Sequence, residues 1–419
     1  MPQFAGGASL GRAGLILGLI SSLILDRWVS GSVRVVFKDR VAVVGVGQTE
    51  LGKGLPDSEL VLALRAIRAA LDDCGIDPSE VDGLSSYTME PDREVEVARN
   101  LGLGDITYFS QVGYGGGGGC ATVLHAAMAV ATGQCNVAVA WRSRKRADKA
   151  SRVWAQTPEI LDDYLQWTRP PGLLRPVDEI AMLMRRHMHR YGTTREQLAE
   201  VALAFRAHAQ RNPGAAMHGR PLSLDAYLHA RWISEPLCLF DNCLESDGAA
   251  AVVLVSAERA RDLPQPPVLV HAGAQGLPRQ HNVMAAYFSD DPTSDGPSSA
   301  AAPLLWRRAD VEPADVKVAQ LYDAFSPLVL FSLEGYGFCP RGESGAFVEG
   351  GTLGPGGRLP TNTAGGSMSE AYLHGFNLIT EGVRQVRGTA IGQVPDADVC
   401  LVTSGECVPT SALLLRSDS

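Results

Sequence analysis

The chain has 419 residues, of which 45% are hydrophobic and 20% charged, and its formal net charge is −9. These values are typical of a globular protein that is long enough for two or three domains or for one large α/β body. The acidic charge argues against binding of nucleic acid, because the protein would repel the phosphate backbone.

The N-terminal segment is apolar but short. Residues 13–25 read AGLILGLISSLIL and follow Arg12, an arrangement that is typical of a signal-peptide hydrophobic region. The run is too short for a membrane span, and no clear A-x-A cleavage site follows it. We therefore predict no membrane span, and we place residues 1–35 outside the fold, as an extension that translation from an upstream start would produce.

The next part of the chain alternates strand-like and helix-like segments. Such alternation predicts parallel strands that are covered by helices. The predicted strands are 40–47, 81–88 and 135–143, and the predicted helices are 58–75 and 119–133.

Residues 145–240 have a different character. Charged, proline-containing helices at 177–192 and 194–212 interrupt the strands and predict an inserted helical region. Strand-like segments then resume, so that the second half repeats the order of the first, and we predict two similar halves at 36–265 and 266–419. The later predicted strands are 249–257, 266–274, 316–324, 398–405 and 409–417, and the helices between them are 325–336 and about 370–388.

Eight cysteines are scattered along the chain without a CxxC pair. Their spacing favours neither a disulfide framework nor a zinc site. We therefore expect reduced thiols, a cytoplasmic location and no metal centre.

Four segments resemble the thiolase superfamily, in the same order and at similar spacing. The first is the helix 119–133 with its following strand, and the others are DNCLESDGAAAVVLVSAERA (241–260), YDAFSP (322–327) and PTNTAGGSMSEAYLHG (360–375). A further segment, 185–202, resembles the sterol-carrier or lipid-transfer branch. The resemblance implies a thiolase fold, in which two similar βαβαβαββ halves pack together with an inserted helical loop region.

The chain departs from the thiolase pattern at the catalytic positions. Gly116 stands where the nucleophilic cysteine is expected, and Cys120 lies four residues later. Tyr322 replaces the asparagine of one motif, and Tyr372 replaces the histidine of another, with His374 two positions beyond it. Both tyrosines therefore lie on loops that are catalytic in thiolases.

The last catalytic loop, LVTSGEC, has no cysteine directly before Gly405, where thiolases keep their second cysteine. Without a thiolate the chain cannot hold an acyl group covalently. A retro-aldol cleavage of a β-hydroxyacyl-CoA needs no acyl-enzyme, only two acid–base groups. We expect Tyr322 and Tyr372 to be that pair, with support from His374 and from the open backbone at Gly116 and Gly405; the missing side chain at Gly116 would leave room for the alcohol.

Within the lipid-transfer branch, cysteine-less members resemble the thiolase-like aldolases of bacterial steroid side-chain degradation. That resemblance implies cleavage of a 17-hydroxy-steroid-20-carboxyl-CoA to a 17-keto steroid and propionyl-CoA, with no cofactor beyond the coenzyme A thioester substrate. It also implies a homodimer that binds a small OB-fold, zinc-ribbon partner protein. Neither nucleic acid nor a membrane is an expected partner.

A basic cluster, WRSRKRADKASR (141–152), stands out in this acidic chain. Its side chains could contact the phosphates of coenzyme A or an acidic partner, or could be a solvated loop. The candidate binding residues are Arg142, Arg144, Lys145 and Arg146.

Three alternatives remain open at the level of sequence. Glu370 is a secondary acid–base candidate beside the tyrosines. A non-catalytic lipid or acyl-CoA carrier could keep the fold after losing its nucleophile. A residual thiolase could use Cys120, although such an enzyme would be expected to keep the histidine that Tyr372 replaces.

Overall fold

The structure is a computed structural model that describes residues 37–87, 90–146, 165–281, 284–293 and 296–418. The chain divides into two units, Met1–Val36 and Phe37–Ser419. The predicted extension over residues 1–35 and the second part of the basic cluster, 147–152, lie outside the described residues. Within the described ranges, no helix is both long enough and apolar enough to cross a membrane.

A nine-stranded mixed sheet organises the unit Phe37–Ser419, in the order β3-β2-β4-β7-β1-β8-β11-β10-β9, and a separate pair is formed by β5 and β6. The strands are β1 Val41–Gln48, β2 Gly83–Tyr87, β3 Tyr108–Val112, β4 Val137–Arg144, β5 Trp232–Ser234, β6 Leu237–Cys238, β7 Gly248–Ser256, β8 Val268–Gly276, β9 Val318–Gln320, β10 Val399–Ser404 and β11 Thr410–Ser417.

The strand order shows an internal duplication. In the first half, β2 runs parallel to β4, which pairs antiparallel with β7 and through it with β1. In the second half, β9 runs parallel to β10, which pairs antiparallel with β11 and through it with β8. The halves join where β1 pairs with β8. The repeated order agrees with the predicted duplication, while its boundary at residue 265 stays a prediction.

Helices cover both faces of this sheet. They are α1 Glu59–Cys74, α2 Glu94–Leu101, α3 Gly118–Ala131, α4 Leu165–Thr168, α5 Pro176–Tyr191, α6 Arg195–Arg211, α7 Leu224–Leu228, α8 Ala257–Ala260, α9 Ser298–Arg308, α10 Ser326–Gly335, α11 Ser344–Val348, α12 Gly366–Ser369 and α13 Phe376–Arg387.

Two helices lie where the halves meet. Helix α3 is built from glycine, alanine and other small residues, is buried almost all round, and contacts strands of both halves. A helix that is apolar on every face belongs in the interior. Helix α13 likewise contacts β1 and β7 as well as β9, β10 and β11, and it also contacts α3.

The ends of the first outer helix show how local sequence sets its bounds. The Ser58 side chain accepts a hydrogen bond from the Val61 N–H, and Gly75 ends α1 with a φ of 69°. At Gly47 on β1, an added Cβ would lie 2.0 Å from the Ala66 carbonyl oxygen of α1. The glycine therefore permits the close packing of α1 on the sheet.

Most predicted elements are present within one or two residues, but the bounds of two were wrong and several elements were not predicted. The strand expected at 316–324 is only Val318–Gln320, because the chain then leaves the sheet. The helix expected from about 370 begins at Phe376, because His374 and Gly375 have φ values of 53° and 82°. Strand β3 and helices α2 and α9 were not predicted at all.

Candidate functional site

Two phenols meet in the interior of the second half. The hydroxyl oxygens of Tyr322 and Tyr372 lie 2.7 Å apart, within hydrogen-bond distance. The side chains are 3% and 7% exposed, and both belong to the core cluster that includes residues of α5 and α6. The structure thus brings together two residues that are fifty positions apart in the chain.

Backbone hydrogen bonds fix the loops that carry the phenols. Tyr322 follows the short strand β9, and its N–H donates to Thr403 Oγ1 on β10 at 2.9 Å. Tyr372 lies between α12 and α13, and its N–H donates to Ser246 Oγ at 3.1 Å. Asp323 accepts from the backbone N–H groups of Ser367 and Met368 and so connects the two loops.

Gly116 lies directly against Tyr322. A Cβ added at Gly116 would be 1.9 Å from the Tyr322 hydroxyl oxygen. The expectation that the missing side chain leaves room for a substrate alcohol was therefore wrong, because the Tyr322 hydroxyl fills that space. Any larger residue at position 116 would have to displace the phenol.

The rest of the glycine run packs against the last catalytic loop. A Cβ at Gly117 would lie 1.7 Å from the Pro409 carbonyl oxygen, and one at Gly119 would lie 2.4 Å from the Tyr87 hydroxyl. At Gly405, which has a φ of 74°, an added Cβ would lie 2.8 Å from Gly117 Cα. These glycines permit two backbones to approach closely, and so much close packing argues against a phosphate cradle.

Cys120 is buried within helix α3 and cannot serve as an exposed nucleophile. Its side chain is 0% exposed, its sulfur accepts a hydrogen bond from Ser404 Oγ at 3.2 Å, and burial raises its pKa to about 12. A thiolate is the reactive form of cysteine, so this environment contradicts the residual-thiolase alternative.

His374 lies between two arginines. Its Nδ1 is 2.9 Å from Arg142 Nη2, and its Nε2 is 3.1 Å from Arg146 Nη2. The ring lies edge-on to Tyr372 at 5.0 Å between centroids and parallel to Tyr87 at 6.3 Å. Burial, together with the arginines, holds the pKa of His374 well below its usual value, so the imidazole is neutral.

The four basic candidates are held by protein groups. Arg142 is fully buried and pairs with Glu90 Oε2 at 3.1 Å, while Arg144 is 3.7 Å from Glu59 Oε1. Lys145 Nζ donates to two backbone carbonyl oxygens at 2.8 and 2.9 Å. The sequence analysis did not identify Glu90. It lies far from the basic cluster in the chain, and nothing in the sequence indicates that the two are in contact.

Arg146 is the basic residue that faces a catalytic candidate. Its Cζ lies 5.8 Å from the centre of the Tyr372 ring, and its backbone N–H donates to Asp247 Oδ1 at 2.6 Å. The side chain is 5% exposed, so its charge acts in a medium of low dielectric constant.

The two phenols differ in their electrostatic surroundings. Burial raises the pKa of Tyr322 well above its ordinary value, and Tyr372 raises it further. Burial also raises the pKa of Tyr372, but the positive charge of Arg146 and the hydrogen bond with Tyr322 oppose that rise. The position of Arg146 near the Tyr372 ring thus favours loss of the proton from Tyr372 over loss from Tyr322.

Glu370 forms its hydrogen bond with Asn377 and not with either phenol. Its carboxylate accepts from the Asn377 side-chain amide at 2.9 Å, and burial raises its pKa to about 8. This contact gives Glu370 a structural partner.

A cleft of about 290 Å³ opens beside the glycine run. Gly117 forms part of its wall, one residue from Gly116, and Pro409 and Thr410 form another part. Tyr114 and Leu277, which are 66% and 53% exposed, lie along it. The cleft is more apolar than polar, and Gly117 in its wall directly follows Gly116, which contacts Tyr322.

Comparison with known proteins places this site in a family. Residues 280–414 match the family described as thiolase C-terminal domain-like. Over 388 residues the chain is 45% identical to the steroid side-chain-cleaving aldolase of Thermomonospora curvata, covering 91% of this chain and 99% of that protein. Over 381 residues it is 44% identical to the 17-hydroxy-3-oxo-4-pregnene-20-carboxyl-CoA lyase of Mycobacterium tuberculosis, covering 90% and 99%.

A solved structure supports the same placement. The Ltp2-ChsH2(DUF35) aldolase matches with a TM-score of 0.86 at 45% sequence identity, covering 91% of this chain and 99% of that one. The predicted thiolase fold is thereby confirmed, and the non-catalytic carrier alternative is not supported. The chain belongs to the thiolase-fold family of steroid side-chain-cleaving aldolases and acyl-CoA lyases, and it is a carbon–carbon lyase.

Proposed function

We propose that the protein cleaves a 17-hydroxy-steroid-20-carboxyl-CoA into a 17-keto steroid and propionyl-CoA by a retro-aldol reaction. The names of the two relatives that match almost their full length support the steroid side chain as the substrate. The observation that carries the mechanism is the 2.7 Å contact between the Tyr322 and Tyr372 hydroxyl oxygens, because it supplies two acid–base groups where thiolases use other residues.

In this mechanism Tyr372 is the base and Tyr322 is the acid. The Tyr372 phenolate takes the proton of the 17-hydroxyl group, and the oxygen electron pair forms the ketone as the C17–C20 bond breaks. The electrons of that bond become the thioester enolate. The Tyr322 hydroxyl then donates its proton to C20 and completes propionyl-CoA.

The hydrogen bond between the phenols resets the pair. After the cleavage Tyr372 is protonated and Tyr322 is a phenolate, so one proton transfer along the 2.7 Å contact restores the starting state. The reaction neither consumes nor releases a proton overall, and it needs no external acid. Arg146 favours Tyr372 as the phenolate, because its positive charge lies near that ring.

The basic cluster has a different role in this proposal from the one predicted. Contact of Arg142, Arg144, Lys145 and Arg146 with the phosphates of coenzyme A stays a prediction. The buried positions and protein partners of Arg142 and Arg146 favour a role beside the phenols instead. Gly116 and Gly405 support the site by allowing Tyr322 and the last catalytic loop to pack closely.

We also propose that the protein works as a homodimer with a small OB-fold, zinc-ribbon partner of the DUF35 type. The matching aldolase structure is a complex with a DUF35 protein. A four-ring skeleton with a coenzyme A chain needs more space than a cleft of about 290 Å³, so a second chain would build part of the wall. Phe109, on the edge strand β3 and 71% exposed, supports pairing with a second copy. Reduced thiols would suit a cytoplasmic location.

The direct test uses the purified protein with and without a co-expressed DUF35 partner. Incubation with 17-hydroxy-3-oxo-4-pregnene-20-carboxyl-CoA should yield propionyl-CoA and the 17-ketone, identified by mass. Tyr322→Phe and Tyr372→Phe should each remain folded and lose cleavage, while Tyr108→Phe, a control outside the pair, should keep it. Cleavage at the normal rate by both variants would refute the mechanism.

A further inference from the structure

A line of buried side chains connects a carboxylate to the proposed base. Glu90 Oε2 is 3.1 Å from Arg142 Nη1, and Arg142 Nη2 is 2.9 Å from His374 Nδ1. His374 Nε2 is in turn 3.1 Å from Arg146 Nη2, and the guanidinium of Arg146 lies 5.8 Å from the centre of the Tyr372 ring. The imidazole therefore contacts both guanidinium groups.

The backbone at His374 is uncommon for a residue other than glycine. Its φ of 53° lies in the left-handed region, which glycine and asparagine adopt more easily. The next residue, Gly375, also has a positive φ, so the turn itself does not require an imidazole. A residue that is held in an unfavourable backbone conformation at a site is a reason to look for a function of its side chain.

The two ring nitrogens have unequal surroundings. A neutral imidazole has one N–H and one lone pair, so it can accept from only one of the two guanidinium groups. Arg142 already has the Glu90 carboxylate as a partner and lies 4.8 Å from the centre of the Tyr87 ring. Arg146 is the group whose position matters for Tyr372, and it meets the histidine at Nε2.

We propose that His374 is a positioning residue, whose Nε2 holds the Arg146 guanidinium near Tyr372 so that the phenolate of Tyr372 is stabilised. This inference rests on the proposed function, because it requires Tyr372 to be the base. The charged and titratable groups that face Tyr372 are Tyr322 from the loop after β9, Tyr87 from β2, Arg146 after the end of β4, His374 from its own loop, Cys243 before β7 and Cys407 before β11. Among them Arg146 alone carries a positive charge.

The test compares two amides at one position. The Asn side chain places its polar atoms near the position of Nδ1 and the Gln side chain places them near Nε2, so His374→Gln can keep the Arg146 contact and His374→Asn cannot. The pH dependence of kcat/KM is measured for the complex with its substrate. In that profile kcat/KM rises with pH as Tyr372 loses its proton. We expect His374→Asn to move this rising limb toward alkaline pH by about one unit. His374→Gln should keep kcat/KM along the rising limb close to the wild-type values.

The positive φ at position 374 predicts the opposite order of the two variants if the role of His374 is only structural. Because asparagine adopts a positive φ more easily than glutamine, a purely structural role would make His374→Asn the milder variant. Equal limbs in both variants, or a shift in His374→Gln alone, would overturn the proposal.

A second pair of variants covers the case in which a His374 variant does not fold. Arg146→Gln should move the limb in the same direction at least as far, and combining it with His374→Asn should move it no further. An unchanged limb in Arg146→Gln would also overturn the inference. Tyr372→Phe separates the two claims. An active Tyr372→Phe refutes Tyr372 as the base and with it the proposed mechanism, whereas an inactive one with unshifted His374 and Arg146 variants refutes only the positioning role.

Discussion

The two halves of the chain have the same strand order but contribute different things to the site. The first half supplies backbone at Gly116 and buried positive charge at Arg146. The second half supplies both phenols, Tyr322 and Tyr372, on loops beside β9 and α13. The space that a side chain at Gly116 would occupy is filled from the other half by Tyr322. In the proposed mechanism, a duplicated fold that lacks a nucleophile in one half therefore takes its acid–base groups from the other half.

A large effect is expected where the two halves meet, at the contact between Gly116 and Tyr322. Gly116→Ala should lower kcat by roughly a hundredfold or more, because the new Cβ would displace the Tyr322 hydroxyl from Tyr372. Steady-state kinetics of the folded variant would measure the loss. Gly354→Ala is the matched control, since its Cβ would meet its nearest atom at an ordinary 3.4 Å. Full activity of Gly116→Ala would mean that the observed phenol position is not the reactive one.

The pH dependence of kcat/KM tests whether Tyr372 is the base of the pair. Burial raises the pKa of Tyr372, so at neutral pH only a small fraction is phenolate. Because the phenolate is the reactive form, kcat/KM should rise about tenfold per pH unit below that pKa. The rate would be followed from pH 6 to 9 as propionyl-CoA release, with enzyme-free blanks for thioester hydrolysis. A rate that falls as pH rises through this range would assign the base to another group.

The smallest effect concerns the thiol beside the glycine run. Cys120→Ala should retain kcat within about twofold, because the thiol is buried in α3 and takes no part in the chemistry, although the smaller side chain should lower the free energy of unfolding by about 1 kcal/mol. Kinetics and thermal unfolding would be measured on the same preparation. A folded variant with no activity would return Cys120 to the mechanism.

Part of the fold and site follows from sequence because it depends on local patterns. The small-residue helix after the glycine run, the amphipathic helix that ends at Gly75 and the repeated strand order are all visible in hydrophobic periodicity and turn residues. The helix expected from about 370 started too early because its apolar residues continue through a turn. Only the positive φ values of His374 and Gly375 reveal where that helix begins.

The remainder of the site depends on contacts between distant segments. Motif order indicated both tyrosines, but the 2.7 Å distance between residues fifty positions apart cannot be read from spacing. The basic cluster looked like a surface that could meet phosphates, because charge is usually solvated. Glu90 provides the buried partner of Arg142, and nothing in its local sequence signals that contact.

The most direct test of the account is a double-mutant comparison of the two phenols. Release of propionyl-CoA from 17-hydroxy-3-oxo-4-pregnene-20-carboxyl-CoA would be measured for the wild type, Tyr322→Phe, Tyr372→Phe and the double variant. If the phenols act as one proton-sharing unit, each single change should lower kcat by about 10²–10⁴-fold, and the double variant should be no slower than the slower single variant. Near-normal rates in either single variant, or losses that multiply in the double variant, would contradict a shared-proton pair.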